Sequence, residues 1–370
     1  DGTTWSPTNY GNVVSGGAES ARVALYKSDN LPAVRVYQEM QKRSVDVMGY
    51  LEKMGFNPAA SYTPEDIKNL AFAIGGVSSG PTVLEETRAF ATFANNGNYH
   101  DGYFIDRIED AAGNVVFQHQ SNPTQVFSED SNYLMIDMLR NTMTEGTGRI
   151  AKGYMTMGGD WIAKSGISEN SKDVWFIAST PSITIGSWIG YDSRFQNYTI
   201  NINDGYGRES ERSQRYWANV VNELYAARPD IFGVDRKFSR PSSVQETDVL
   251  QQTGTKPGTM RLDNGGTISI TGPTYKDLFK VSHPAPELNY KFLFGATDEE
   301  LANFWSTYRA QLEEQRRQED QRRQQESSSS SSSSSSSAAN ENPGNGNETP
   351  GGNNNNNNQN NNQNNTPGQR

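Results

Sequence analysis

The stretch WIAKSGISENSKDVWFIASTP (Trp161–Pro181), followed by the run from Thr184 to Tyr191, decides the fold. Three β-rich runs, Trp161–Lys164, Val174–Ser179 and Thr184–Tyr191, are separated by short polar turns, a spacing that predicts three adjacent antiparallel strands. Outward from them the signals turn helical. Thr63-Pro64-Glu65-Asp66 offers an N-cap, a proline at the first helical position and acid in the first turn. Thr82 with Glu85 reads as a capping box ahead of Leu84, Phe90, Phe93 and Ala94, closed by Asn95-Asn96-Gly97. Ser128 opens a third helix, with Leu134, Met135, Met138, Leu139 and Thr142 expected on its inner side. Ile105–Glu109 and Val115–Phe117 flank Ala112-Gly113-Asn114 as a hairpin. Amphipathic helices over an antiparallel sheet make an α+β fold.

Beyond Pro229 the texture changes. Met260-Arg261-Leu262 and Thr267–Ile270 bracket Asp263-Asn264-Gly265-Gly266 as another hairpin, in a segment too short for a large core. The division expected is a main domain at 1–232, a small β domain at 233–297, an amphipathic and then charged helix at 298–326, and a tail at 327–370. The helix opens on a Thr297/Glu300 capping box and carries Leu301, Phe304, Trp305, Tyr308 and Leu312 on one face. The tail is serine from Ser327 to Ser337 and then almost wholly Asn, Gln, Gly, Pro and Thr, a composition read as disordered because it has nothing to bury against conformational entropy.

The net charge of −10 has no basic stripe interleaved with aromatics, which excludes a nucleic-acid partner. No cysteine is present, so thiolate catalysis and disulfides are out, in keeping with work outside the cell. His100, His119 and His283 stand far apart, which leaves a metal site without support, and no cofactor is implied. No run reaches the ~18 apolar residues of a membrane-spanning helix.

Two tripeptides carry the chemistry. Ser28-Asp29-Asn30 follows a helical turn, and Lys164-Ser165-Gly166 ends the first of the three strands. Either alone is a weak signal, a helix cap or a solvated strand end. In order, they match the S-D-N and K-T/S-G elements that complete an S-x-x-K active site. The surrounding sequence extends the match: ALYKSDNLPAV (Ala24–Val34), FATFANNGNYH (Phe90–His100), EGTGRIAK (Glu145–Lys152), Trp161–Pro181 and SWIGYD (Ser187–Asp192). This ordered set, over roughly Pro7 to Ser337, resembles the transpeptidase part of class A, bifunctional penicillin-binding proteins. The segment after Pro229 and the Ser-rich tail are similar to the end of the 1b-type enzymes of Gram-positive cocci.

The resemblance implies the penicillin-binding and serine β-lactamase type of transpeptidase fold, an antiparallel sheet flanked by helices. It also implies D,D-transpeptidation of peptidoglycan stem peptides, with β-lactams as inhibitors, on the wall side of the cytoplasmic membrane. Asn30 would hold the peptide, Ser28 would pass a proton toward the leaving amine, and Lys164 would keep positive charge beside Ser28. Ser165 would bind the terminal carboxylate, and the Ile167 N–H, after Gly166, would form half of an oxyanion hole. Two departures stand out. No S-x-x-K occurs anywhere in the 370 residues, and Ile167 stands where the family commonly has threonine. The sequence is therefore expected to be cut short at its N-terminus. The S-x-x-K segment, the glycosyltransferase domain and the membrane anchor would precede Asp1, and the chain alone would be inert. Two other readings compete: a non-catalytic wall-binding scaffold on a degenerate transpeptidase fold, and a serine β-lactamase. The latter lacks its ExxLN loop, since Glu65-Asp66-Ile67-Lys68-Asn69 does not supply the leucine-asparagine end.

Overall fold

The computed structural model describes residues 5–9, 19–191, 198–201, 203–251, 254–261 and 267–286, with a broken set between 306 and 324. Local chemistry sets the helices of the first unit, which runs from Asp1 to Asp298. The helix α1 (Ala21–Lys27) starts where the Ser20 hydroxyl accepts the Val23 amide, and α2 (Asn30–Lys42) follows after two residues. Next come α3 (Val47–Lys53) and α4 (Pro64–Lys68), the latter opened by a Thr63–Asp66 capping box with proline at its first position. A 3₁₀ turn, Leu70–Ile74, precedes α5 (Val83–Ala94), which is opened by the Thr82–Glu85 capping box read in the sequence. The remaining helices are α6 (Glu129–Thr144), α7 (Arg149–Tyr154) and α8 (Glu209–Ala227).

Among the described residues the strands all pair antiparallel. Short pairs form between β1 (Asn98–Tyr99) and β4 (Thr124–Gln125), and between β2 (Arg107–Glu109) and β3 (Val115–Gln118), the second being the hairpin expected there. The central sheet is β5 (Ile162–Ile167), β6 (Asp173–Ser179) and β7 (Thr184–Gly190), in that order, with Ser165 opposite Phe176 and Phe176 opposite Ser187. Further along, β8 (Val244–Leu250) pairs with β11 (Thr274–Lys280), while β9 (Gly258–Arg261) pairs with β10 (Thr267–Ile270). Leu262 to Gly266, Asp192, and the apolar helix face and polar tail expected after residue 297 lie outside the described residues. In the second unit, Glu299–Arg370, residues 316–324 are helical.

Strand alternation places the core on both faces of the central sheet. Trp161, Ala163, Phe176 and Ala178 pack on Trp217, Ala218 and Val221 of α8 and on Phe232. Ile162 and Ile177 face Phe90 of α5, Ile136 and Leu139 of α6, and Phe238 and Val244. Glycine is required at one crossing of helix and sheet, because a Cβ on Gly186 would collide with the Thr87 hydroxyl of α5. Trp217 is 1% exposed, donates its indole N–H to the Ile185 carbonyl at 2.9 Å and meets Trp161 and Phe176 edge-on. Trp217→Ala is therefore expected to cost about 3–5 kcal/mol. A denaturant midpoint displaced by less than about 1 kcal/mol would show that α8 does not anchor the sheet.

Two helical features differ from the sequence reading. The inner side of α6 is Asn132, Tyr133, Ile136, Leu139, Thr142 and Met143, and of the five residues expected there only Leu139 and Thr142 are buried. Its apolar residues run almost continuously from Tyr133 to Leu139, so several faces fit, and β5 and α5 select one. The Ser128 side chain makes no cap bond to the α6 backbone; it donates to Asp130 Oδ1 at 2.5 Å instead.

Candidate active site

Ser28 is the C-cap of α1 and sits at φ 63°, ψ 43°. Its amide donates to Leu25 O at 3.1 Å, and the Asp29 amide reaches back to Ala24 O at 2.9 Å, a Schellman-type ending. Glycine is the usual occupant of such a position, and a serine there carries strain of order 1 kcal/mol. The chain turns sharply and α2 starts at Asn30. Both Asn9 and Asn30 fix this corner: Leu31 N donates to Asn9 Oδ1 at 3.0 Å, and Asn30 Nδ2 donates to Thr8 O at 2.7 Å. In this structure the Asn30 amide is thus engaged with the protein's own backbone.

Opposite Ser28, β5 is the edge of the central sheet among the described residues. Ser168 N donates to Asp173 O at 3.0 Å. By the two-residue alternation of an antiparallel ladder, the N–H groups of Lys164 and Gly166 therefore point to β6, and those of Ser165 and Ile167 point to the open edge. Two carbonyls on that edge are taken: Thr142 Oγ1 donates to Ala163 O at 2.6 Å, and Lys164 Nζ donates to Ser165 O at 2.7 Å.

Lys164 Nζ also donates to Ser28 Oγ at 2.7 Å, joining residues 136 positions apart. Burial, with no acidic group offsetting it, pushes the Lys164 ammonium down to about 8. A cation held this way has two of its donors spent on neutral oxygens and no counter-charge, so it favours a ligand that brings an anion. Ser165 Oγ donates to Thr147 Oγ1 at 2.9 Å. Ile167, at the end of β5, is 38% exposed on the same face as Ser165.

The structure therefore brings together Ser28, Lys164 and Ser165, with Gly166 and Ile167 following along the edge and Asn30 one turn of chain from Ser28. It adds two residues to which the sequence reading gave no role. Thr147 lies in the EGTGRIAK segment, where its amide donates to Tyr26 O at 3.1 Å; a Cβ on Gly146 would strike that same carbonyl, so only glycine allows the approach. Gln214 of α8 is fully buried, donates from Nε2 to Thr147 O at 2.8 Å and accepts the Ala151 amide at 2.9 Å. The segment was visible in the sequence, but a glutamine on a helix gives no sign of which loop it holds.

Among the described residues, no group of His, Cys, Asp and Glu is placed to hold a metal, and no helix is long and apolar enough to cross a membrane.

Comparison with known proteins places the chain in a family. Residues 1–225 match the family model described as the penicillin binding protein transpeptidase domain. Penicillin-binding protein 1F of Bacillus subtilis is 31% identical over 204 residues, 55% of this chain and 27% of that protein. Penicillin-binding protein 2a of Streptococcus pneumoniae is 26% identical over 261 residues, 69% of this chain and 34% of that protein. Penicillin-binding protein 1A of Clostridium botulinum is 27% identical over 258 residues, covering 28% of its length, so the chain spans about a third or less of these relatives. In three dimensions, penicillin-binding protein 1A from Haemophilus influenzae superposes with a TM-score of 0.60 at 19% identity, over 78% of this chain and 44% of that one. The α+β architecture is thus the one shared by these proteins, and with the family model matched over more than half of its length, the chain belongs to the penicillin-binding protein transpeptidase family.

Proposed function

We propose that this chain forms the second and third walls of a D,D-transpeptidase site that cross-links peptidoglycan stem peptides, with the acylated serine supplied by a segment outside these 370 residues. The observation that carries the reading is the 2.7 Å bond from Lys164 Nζ to Ser28 Oγ, which joins the two motifs. In the step it supports, a serine oxygen attacks the carbonyl of the penultimate D-alanine, the ester bond forms and the amide C–N bond breaks. Ser28 passes the proton to the departing amine, and Lys164 stabilises the charge on that path. The Lys164 cation and the Ser165–Thr147 hydroxyl pair receive the terminal carboxylate. The Ile167 N–H on the open edge meets the developing oxyanion, and Asn30 exchanges its Thr8 contact for the peptide backbone.

A lysine that bonds Ser28 Oγ and the Ser165 carbonyl, and whose burial no carboxylate offsets, supports this reading over a wall-binding scaffold, because a passive surface gains nothing from carrying that cost. The relatives are named as penicillin-binding proteins, and β-lactams are the inhibitors expected. We assign the chain to the bifunctional class A group, 1b-type, with a glycosyltransferase domain and membrane anchor elsewhere in the protein and the site on the outer face of the membrane. The parts are a transpeptidase domain at 1–232, a small β domain at 233–297, a helix at 298–326 and a polar tail at 327–370. The test is a cross-linking assay on the enzyme that includes its S-x-x-K segment. Release of D-alanine from a stem pentapeptide together with dimer formation is expected, and binding without D-alanine release would favour the scaffold.

A further inference from the structure

The segment that carries Ser28 is held by an element outside the matched transpeptidase region. Arg22 is the second residue of α1, with its side chain 13% exposed, and its guanidinium ties α1 to two other elements. Nη2 pairs with Asp137 at 2.6 Å, and Nη1 donates to Asn141 Oδ1 at 2.6 Å and to Asp137 O at 3.2 Å, all on α6. The remaining edge faces β11: Nε donates to Asp277 Oδ1 at 3.0 Å, and Nη2 is paired with the same oxygen. Asp277 is itself fixed, since Tyr275 Oη donates to its Oδ2 at 2.7 Å and the Leu278 amide donates to Oδ1 at 2.8 Å. A helix of seven residues is too short to hold its own geometry. The Arg22–Asp277 contact of α1 with β11 falls in the first turn of the helix, and Ser28 is at the far end of the same rod.

We propose that Asp277, in the β8–β11 pair, is a positioning residue for transpeptidation: through Arg22 it sets the orientation of α1 and so the placement of the Ser28 hydroxyl against Lys164. The inference rests on the reading of Ser28 and Lys164 given above. It makes the C-terminal β segment part of the catalytic unit, although the family model ends at residue 225. The acceptor geometry matters most, because Asp277 offers a planar acceptor to a planar guanidinium.

Two readouts test it, with Asp248→Ala as control, an exposed acid on β8 that pairs with Lys276. In the chain itself, amide hydrogen exchange at Ser28 and Asp29 should rise about tenfold in Asp277→Ala and stay unchanged in the control. In the enzyme with its S-x-x-K segment, Asp277→Ala should slow the first-order acylation step of fluorescent penicillin about tenfold or more, with its prior non-covalent binding little changed. Asp277→Asn, which keeps an acceptor for Arg22, should recover to within about threefold of wild type. Wild-type exchange at Ser28 and Asp29, or wild-type acylation per folded molecule in Asp277→Ala, overturns the inference while leaving the site reading intact. A wild-type enzyme that takes no penicillin overturns both.

Discussion

Replacing Lys164 by methionine in the enzyme that includes its S-x-x-K segment is expected to slow acylation by penicillin about 100- to 10,000-fold, the range of positioned proton-transfer groups. Methionine fills the same channel between β5 and α1, so the fold should persist. What goes is the donor 2.7 Å from Ser28 Oγ and the positive charge that draws a carboxylate. The pH profile separates this from general damage. With the ammonium brought down to about 8, the wild-type rate should fall as pH rises through that value, because the cation is lost there. The variant should show no such limb. A Lys164→Met rate within threefold of wild type, with the limb still present, would remove the lysine from the mechanism.

The second large effect is expected at Ile167 and runs the other way. Ser165 and Ile167 share a face of β5, and Ser165 Oγ already pairs with Thr147. A threonine at 167 keeps the β-branched shape and the backbone N–H while adding a hydroxyl beside that pair, on the side where the carboxylate docks. A hydrogen bond to a charged group contributes about 1.5–3 kcal/mol, which corresponds to a gain of about 10- to 100-fold in the second-order acylation rate of Ile167→Thr. The side chain is 38% exposed, so the change disturbs little packing. An unchanged or lower rate would mean that Ser165 and Thr147 suffice for the carboxylate.

How much of this was legible in the sequence depends on the range of the interaction. The sheet was legible because β6 and β7 are apolar, β-rich and separated by a short polar turn, and the Thr82 capping box and the Thr63 N-cap with its proline are signals within four residues. The two motif tripeptides could be located for the same reason, yet nothing in them shows that Lys164 donates to Ser28 or that Ser28 is left-handed. The helix α8 was missed although Ser213, Gln214, Trp217, Ala218 and Val221 follow a helical period, because polar residues dilute the stripe. Longer links were out of reach. Arg22 and Asp277 are 255 positions apart, and a charged pair that spends itself in the interior reads in the sequence like any two surface residues. Arg140 is similar: it grips both oxygens of Asp160 at 2.8 and 2.7 Å, and the Phe238 amide donates to the same carboxylate at 2.9 Å. Burial would raise the Asp160 carboxyl, but these bonds outweigh it and hold it below its usual range.

The measurement that bears most directly on the site is mass spectrometry of the protein after incubation with penicillin, with the adduct mapped to a residue. The 370-residue chain should keep its mass, and in the protein that includes its S-x-x-K segment the adduct should fall on the serine of that motif. A stable adduct on any serine between Ser6 and Ser337, or no adduct in the longer protein, would contradict the assignment of Ser28 and Lys164 as partners of an external nucleophile.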